Sequence, residues 1–122
     1  MILVDTSVWI DHLRRGLPTL TAALDEAQVL THPFVVGELA CGNLKPGSDA
    51  LLLMQNLPKA LVASDSEALE FIERHELMGR GIGYVDVHLL ASVAITGATT
   101  LWTHDVRLAS IAAAMGLANA GC

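Results

Sequence analysis

The stretch "MILVDTSVWI", residues 1–10, opens with a short apolar run that ends directly at a carboxylate. Residues 2–4 are typical of a buried strand, and Asp5 follows them with no turn residue in between. Two interpretations of Asp5 are open. Asp is a preferred N-cap residue, and Thr6 and Ser7 would then begin a helix. Alternatively, Asp5 lies at the carboxyl end of a parallel strand, where open α/β sheets bind their ligands.

The rest of the chain alternates short apolar segments with longer amphipathic ones. Strands are predicted at 2–4, 29–32, 60–63 and 99–103. Helices are predicted at 7–15, 18–27, 34–44 and 48–57, after a cap at Asp65 or Ser66, and at 85–95 and 105–116. Short strands separated by helices predict an α/β fold with a central parallel sheet and helices on both faces. The length of 122 residues favours one domain spanning 1–122.

Composition excludes some classes of protein and leaves others open. Hydrophobic residues make up 52% and charged residues 16%, an apolar surplus that leaves room for a partner surface. No apolar stretch approaches the roughly 18 residues that span a bilayer, and we see no secretory signal. Cys41 and Cys122 have neither metal nor disulfide spacing, which indicates free thiols in a cytoplasmic protein. The net charge of −6 argues against nucleic-acid binding, but less so if several acids are metal ligands.

Four carboxylates lie at positions where acids are uncommon, namely after short apolar strands or on apolar helix faces. Asp105 follows the predicted strand "TTLWT" just as Asp5 follows "ILV". Glu38, in "FVVGELACG", and Asp86, in "GYVDVHLLASVAI", lie on predicted apolar helix faces, where an unpaired charge is costly. Each also has a structural interpretation: a helix cap for Asp105, and a buried ion pair with a distant base for Glu38 and Asp86.

A shared metal site explains the four carboxylates together. Placed in one pocket, they would repel one another and raise one another's pKa, and a divalent cation removes that conflict. Oxygen ligands select Mg²⁺ or Mn²⁺ over zinc. His12, His88 and His104 lie near acids but do not form a recognised zinc spacing. Supporting or substrate-contacting roles suit His88 and His104 better.

Four segments of the chain resemble the PIN-domain ribonucleases and, more narrowly, the VapC toxins of bacterial toxin–antitoxin pairs. They are "LVDTSVWIDHL", "FVVGELACG", "GRGIGYVDVHLLAS" and "LWTHDVRLASIAAAMGL", in the family's order and spacing over nearly the whole chain. The residues that match the family's acidic quartet are Asp5, Glu38, Asp86 and Asp105, and those that match its hydroxyl positions are Thr6, Ser7 and Thr103.

The resemblance implies a three-layer α/β/α fold and a Mg²⁺- or Mn²⁺-dependent endoribonuclease acting on RNA, tRNA being one candidate. It also implies a homodimer and a cognate VapB-type antitoxin whose tail enters the acidic groove. In this mechanism Asp5, Asp86 and Asp105 hold one or two cations, which activate a water and stabilise charge on the phosphate. Glu38 holds a second ion or acts as the base, and Thr103 orients ligands by hydrogen bonding.

Other interpretations of the same residues remain open. The bases near the proposed site would meet flanking phosphates or simply be solvated, and they are Arg14, Arg15, Lys45, Arg80 and Arg107. An aspartyl phosphatase would need a second Asp at position 7, which is Ser, and a receiver domain would need paired early acids and a late lysine. A metal-dependent DNA nuclease and a non-catalytic RNA- or protein-binding PIN module are the remaining alternatives.

Overall fold

Three short parallel strands form the centre of the protein, described by a computed structural model over residues 1–42 and 44–119. The strands are β1 (Ile2–Val4), β2 (Val29–Leu30) and β3 (Thr100–Trp102). The helices in the described residues are α1 (Thr6–Arg15), α2 (Pro18–Asp25), α3 (Pro33–Cys41), α4 (Asp49–Asn56), α5 (Asp65–Arg74), α6 (Tyr84–Thr96) and α7 (Val106–Ala114). The sheet order is β2-β1-β3, and Leu3 pairs with Leu30 on one side and Leu101 on the other. The predicted α/β fold with a central parallel sheet is confirmed.

Single parallel bridges extend the sheet at both edges, joining Thr31 to Lys59 and Leu101 to Ala118. The predicted strand at 60–63 is wrong, because pairing with the sheet ends at the Ala60 amide, which donates to the Thr31 carbonyl at 2.9 Å. The next amide, that of Leu61, instead donates to Thr96 Oγ1 at 3.0 Å, which draws the backbone away from the sheet.

Two predicted helix boundaries are corrected by local hydrogen bonds. The helix predicted to reach Leu44 ends as α3 at Cys41, with the Gly42 amide donating to the Glu38 carbonyl at 3.1 Å. The cap of α5 is Ser64 rather than Asp65 or Ser66, because the Ser64 hydroxyl accepts from the Glu67 amide while the Glu67 carboxylate accepts from the Ser64 amide.

Two cysteines, Cys41 and Cys122, are predicted to be free thiols. Cys41 is an exposed free cysteine, as predicted, whereas Cys122 lies outside the described residues. Across the described part of the chain, no helix has the length and apolar character required to cross a membrane.

The helix α6 is the most deeply buried helix and places one of the four acids. Seven consecutive residues, 87–93, are buried, which is the pattern of a helix surrounded by the core on all sides. Leu89 and Leu90 are fully inaccessible. Asp86 precedes this buried run in the first turn, so its carboxylate is partly removed from water by the packing of its own helix.

The N-terminus of α3 depends on a buried neutral histidine. His32 is inaccessible to solvent, and its Nδ1 accepts a hydrogen bond from the Phe34 amide at 3.0 Å. Burial first, and the charge of His88 second, lower the pKa of His32 from 6.5 to about 4. Protonation at Nδ1 would also remove the acceptor that caps the helix, so the folded protein requires the neutral ring.

The free energy of unfolding is therefore expected to fall as the pH decreases from 6.5 to about 4. The folded-state pKa of His32 is below that of the unfolded chain, so its contribution is complete above pH 6.5 and is lost on acidification, by about 2–4 kcal/mol. In His32→Asn, whose amide oxygen still caps α3, urea unfolding over this pH range should show a smaller loss. An equal acid loss in both proteins would show that His32 is not responsible.

Candidate active site

Asp5 lies at the carboxyl end of β1 and is only 6% exposed. Its Oδ2 accepts hydrogen bonds from Ser7 Oγ at 2.8 Å and from Thr103 Oγ1 at 2.7 Å. Although Asp5 is the N-cap residue of α1, its side chain makes no capping hydrogen bond. The helix-cap interpretation is therefore wrong for this carboxylate, and Oδ1 is left without a hydrogen bond from the described residues.

The segment after β3 is tied to Asp5 through the same hydroxyls. Thr103 Oγ1 accepts from the Asp105 amide at 3.0 Å, and Ser7 Oγ accepts from the His104 amide at 3.0 Å. For Asp105 the cap interpretation holds, since its Oδ1 accepts from the Leu108 amide at 3.0 Å. This bond occupies one carboxylate oxygen and leaves Oδ2 without a hydrogen bond from the described residues.

Asp86 is the acid whose pKa responds to the charges of the other three carboxylates. Its Oδ2 accepts a hydrogen bond from the Gly83 amide at 3.2 Å. Burial raises the pKa of the Asp86 carboxyl above its usual range, against the lowering effect of the Gly83 amide. The charges of Asp5, Asp105 and Glu38 raise this pKa further. The structure thus brings all four acids predicted from the sequence into one electrostatic neighbourhood.

Glu38 belongs to this group of carboxylates but lies on the protein surface. Val35 and Leu39 turn into the core, while Glu38 and Phe34 are exposed, so the expectation that this carboxylate lies on a buried face is wrong. Glu38 Oε1 accepts from Thr6 Oγ1 at 2.7 Å, which ties α3 to the start of α1. Oε2 receives no hydrogen bond from the described residues.

An apolar groove of about 220 Å³ opens beside Glu38, between α1 and α3. Its lining consists of Ile10, Leu13, Arg14, Glu38, Leu39, Gly42 and Leu44. Ile10 and Leu13 are 38% and 48% exposed. The acidic site therefore borders an apolar surface that the described residues do not cover.

No base neutralises the four carboxylates within the described residues. The side-chain ion pair found there is Arg74–Glu70, and two histidines lie near carboxylates, His88 by Asp65 and His104 by Asp11. The buried ion pair considered for Glu38 and Asp86 is therefore absent from residues 1–42 and 44–119, and none of the four carboxylates has an ion-pair partner there.

The three histidines considered from the sequence have separate environments. His12 Nδ1 accepts from the Leu17 amide at 3.0 Å, after the end of α1. His88 is buried against the rings of Phe34 and Tyr84, with ring centroids 4.9 and 4.6 Å away. His104 Nδ1 lies 2.5 Å from Asp11 Oδ2.

The pairing of His104 with Asp11 and the support of Asp86 by the Gly83 amide were not predicted from the sequence. For Asp86, the glycine-rich turn directly before α6 is a signal of close backbone approach. For the histidine pair, the sequence carries no comparable signal.

The carboxylate group suits a hydrated hard cation better than a closed metal cage. Among residues 1–42 and 44–119, no three His, Cys, Asp or Glu side chains form a group arranged to hold a metal ion. Mg²⁺, however, is usually held by only one or two carboxylates and keeps several waters. The donors are all oxygens, each carboxylate has one oxygen without a hydrogen bond from the described residues, and Asp5 is buried without a base. The residues therefore fit such a cation.

The five bases considered from the sequence are all exposed. Arg14 lines the apolar groove next to Glu38. The guanidinium of Arg107 lies against the backbone of Gly81, in the turn that leads to α6. Arg14 and Arg107 are therefore the two bases that the described residues place beside the groove or the turn before α6.

Comparisons with known proteins agree with the fold. Residues 2–114 match the model of the PIN domain family. The chain is 45% identical over 120 residues to proteins named Ribonuclease VapC32 from two strains of Mycobacterium tuberculosis. The matched region covers 98% of this chain and 97% of each relative. The three-layer α/β/α fold expected from the resemblance is thereby confirmed. The chain belongs to the PIN-domain family and is of the VapC type.

Proposed function

We propose that this chain is the toxin of a toxin–antitoxin pair and a divalent-metal-dependent endoribonuclease that hydrolyses RNA phosphodiester bonds in the cytoplasm. The observation that carries the proposal is the buried carboxylate of Asp5. It lies at a strand end, has no basic partner among the described residues, and interacts with Asp86 as part of a group of four acids. The ribonuclease name of the relatives supports the type of reaction.

The proposed cation is Mg²⁺, with Mn²⁺ able to replace it. Asp5, Asp86 and Asp105 would hold it, and Glu38 would complete the pocket directly or through water. When bound, the cation supplies positive charge that lowers the pKa of an attacking water and stabilises charge on the phosphate and leaving oxygen.

The protein's own groups position the reacting atoms. The hydroxyls of Ser7 and Thr103 hold Oδ2 of Asp5, which leaves Oδ1 to bind the cation. Thr6 holds Oε1 of Glu38, which leaves Oε2 to accept a proton from the attacking water. The role of Thr103 in this proposal is to orient the Asp5 carboxylate, in agreement with the role inferred from the sequence.

The proposed partners are RNA, with tRNA as a candidate, a VapB-type antitoxin and a second copy of the chain. The apolar groove beside Glu38, with its exposed Ile10 and Leu13, supports the antitoxin, whose apolar segment would cover it before the tail reaches the acids. Exposed apolar side chains elsewhere, including Leu69 and Met78 at 60% and 84% exposure, leave surface for a homodimer.

The purified protein is expected to cleave RNA in the presence of Mg²⁺ or Mn²⁺ and to lose this activity with EDTA. Calorimetric titration with Mn²⁺ should show binding to the wild type and at least about tenfold weaker binding to Asp5→Asn, because a carboxylate ligand becomes a neutral amide. Asp25→Asn changes an exposed acid at the end of α2 and should bind as the wild type does. Equal affinity of the wild type and Asp5→Asn would contradict the assigned metal site.

A further inference from the structure

Arg107 stands at a helix position that is unfavourable for a cation. It is the second residue of α7, two residues after Asp105, whose carboxylate caps this helix. The N-terminus of a helix carries partial positive charge, which favours anions and disfavours basic side chains in the first turn. A basic residue placed against this local preference points to a role outside the helix.

The guanidinium of Arg107 lies against the backbone of Gly81. A Cβ built on Gly81 would lie 2.7 Å from Nη1, 3.0 Å from Cδ and 3.2 Å from Cζ of Arg107. Gly81 also has φ +82°, in the left-handed region that disfavours other residues. The same turn supplies the Gly83 amide that bonds to Asp86. Arg107 therefore joins the segment that carries Asp105 to the segment that carries Asp86.

The guanidinium of Arg107 has no acceptor among the residues that the structure describes. Within residues 1–42 and 44–119 it makes neither a side-chain hydrogen bond nor an ion pair, although Asp105 and the turn before Asp86 are its neighbours. Arg74, by contrast, pairs with Glu70 at 2.8 Å. An exposed guanidinium without a protein partner keeps its planar set of donors available for a ligand.

We propose that Arg107 binds a backbone phosphate of the RNA strand, next to the phosphate that is cleaved. The proposal rests on the proposed ribonuclease function and assigns a binding residue to it. A strand of phosphates approaching four carboxylates meets electrostatic repulsion, and a guanidinium beside them offsets this repulsion at one point. Its donors match two phosphate oxygens at once, which fixes the position of the strand as well as attracting it. Gly81 is the positioning residue, because a Cβ at this position would require the Arg107 side chain to shift.

The test measures binding of a fluorescently labelled single-stranded RNA oligonucleotide to the Asp5→Asn protein at several salt concentrations. Adding Arg107→Gln should weaken binding about tenfold and reduce the slope of log affinity against log salt by about 0.7, the value for one phosphate on a single strand. Adding Arg74→Gln, which removes an arginine paired on the exposed helix α5, should change neither quantity. Unchanged affinity and slope with Arg107→Gln would overturn the proposal.

Gly81→Ala gives an independent test of the positioning step. It should weaken RNA binding when Arg107 is present and have no further effect in Arg107→Gln, since the displaced group is then absent. Melting curves of all variants establish that they fold. Should Gly81→Ala fail to fold, Arg107→Lys decides alone: a lysine keeps the charge but not the planar donors, so it should restore only part of the affinity. Full recovery of affinity with Arg107→Lys would overturn the assignment of paired phosphate contacts.

Two further measurements distinguish a failure of the proposed ribonuclease function from a failure of the role assigned to Arg107. Cleavage of RNA by the protein with an intact Asp5 is assayed in parallel, and its absence would contradict the ribonuclease function whatever the binding results. If the KM for RNA were the same in Arg107→Gln as in the wild type, only the role of Arg107 would be contradicted. Loss of antitoxin affinity with unchanged RNA affinity would show that Arg107 meets a protein carboxylate, which also overturns the proposal.

Discussion

Expressed without its antitoxin in a bacterium, the wild-type chain is expected to arrest growth and to leave newly cut RNA ends, whereas Asp5→Asn should do neither. The substitution removes the charge of the proposed metal ligand Asp5, which is only 6% exposed. Loss of the cation forfeits several kcal/mol of transition-state stabilisation, which corresponds to about a thousandfold or more in rate. Sequencing of RNA ends after induction measures the effect and also identifies the RNA that is cut.

The choice of Asn at position 5 follows from the hydrogen bonds of the aspartate. Its amide oxygen still accepts from the hydroxyls of Ser7 and Thr103, which an alanine would leave without their acceptor. The variant should therefore fold and should still bind the antitoxin in a pull-down assay.

Asp25→Asn, an exposed change on α2, is the matched control for Asp5→Asn and should remain toxic. A non-catalytic binding module would act by occupying its target, so Asp5→Asn would keep its toxicity and no new RNA ends would appear. Toxicity of the folded Asp5→Asn protein equal to that of the wild type would show that this chain does not act by hydrolysis.

Asp86→Asn is expected to abolish cleavage. The free energy of unfolding of the metal-free variant should be higher than that of the wild type, or lower by no more than about 0.5 kcal/mol. The pKa of Asp86 is raised in the folded state by burial and by the charges of Asp5, Asp105 and Glu38. The charged form therefore costs stability at neutral pH, and the cost disappears as the pH falls below the carboxyl range. An asparagine removes this cost and still offers an oxygen to the Gly83 amide.

Urea unfolding in EDTA at pH 7 measures the stability difference for Asp86→Asn, and the difference should shrink on acidification. Adding Mg²⁺ should stabilise the wild type more than the variant, because binding to the folded state alone raises its stability. A marked drop in the melting temperature of Asp86→Asn would instead indicate that the carboxylate has a structural role. Retained cleavage would remove Asp86 from the active site.

Local patterns in the sequence were sufficient where neighbouring residues decide the structure. The apolar run at 2–4 and the β-branched run ending at Trp102 become parallel strands, and the acids that follow them lie at the same edge of the sheet. The cap of α7 at Asp105 was likewise predictable, since a cap is a contact between residues three apart. These interactions depend on strand hydrophobicity and helix geometry, which a short segment carries by itself.

Contacts between distant segments required the tertiary structure. Whether Asp5 caps its helix or points into a site is decided by Thr103, which is 98 residues away. The segment 60–63 has the composition of a strand but leaves the sheet because the Leu61 amide finds Thr96. The exposure of Glu38 depends on which side of α3 meets the core, and its own neighbours in sequence do not determine that.

The sequence by itself identified the four acids of the candidate active site and predicted the class of fold. The tertiary structure alone decided how those acids are held: hydroxyls for Asp5 and Glu38, and backbone amides for Asp86 and Asp105. It also placed Arg107 on Gly81, 26 positions earlier in the chain. The physical reason is that residue type and spacing set the chemistry a side chain can perform, whereas its partners and burial depend on packing between segments far apart in the chain.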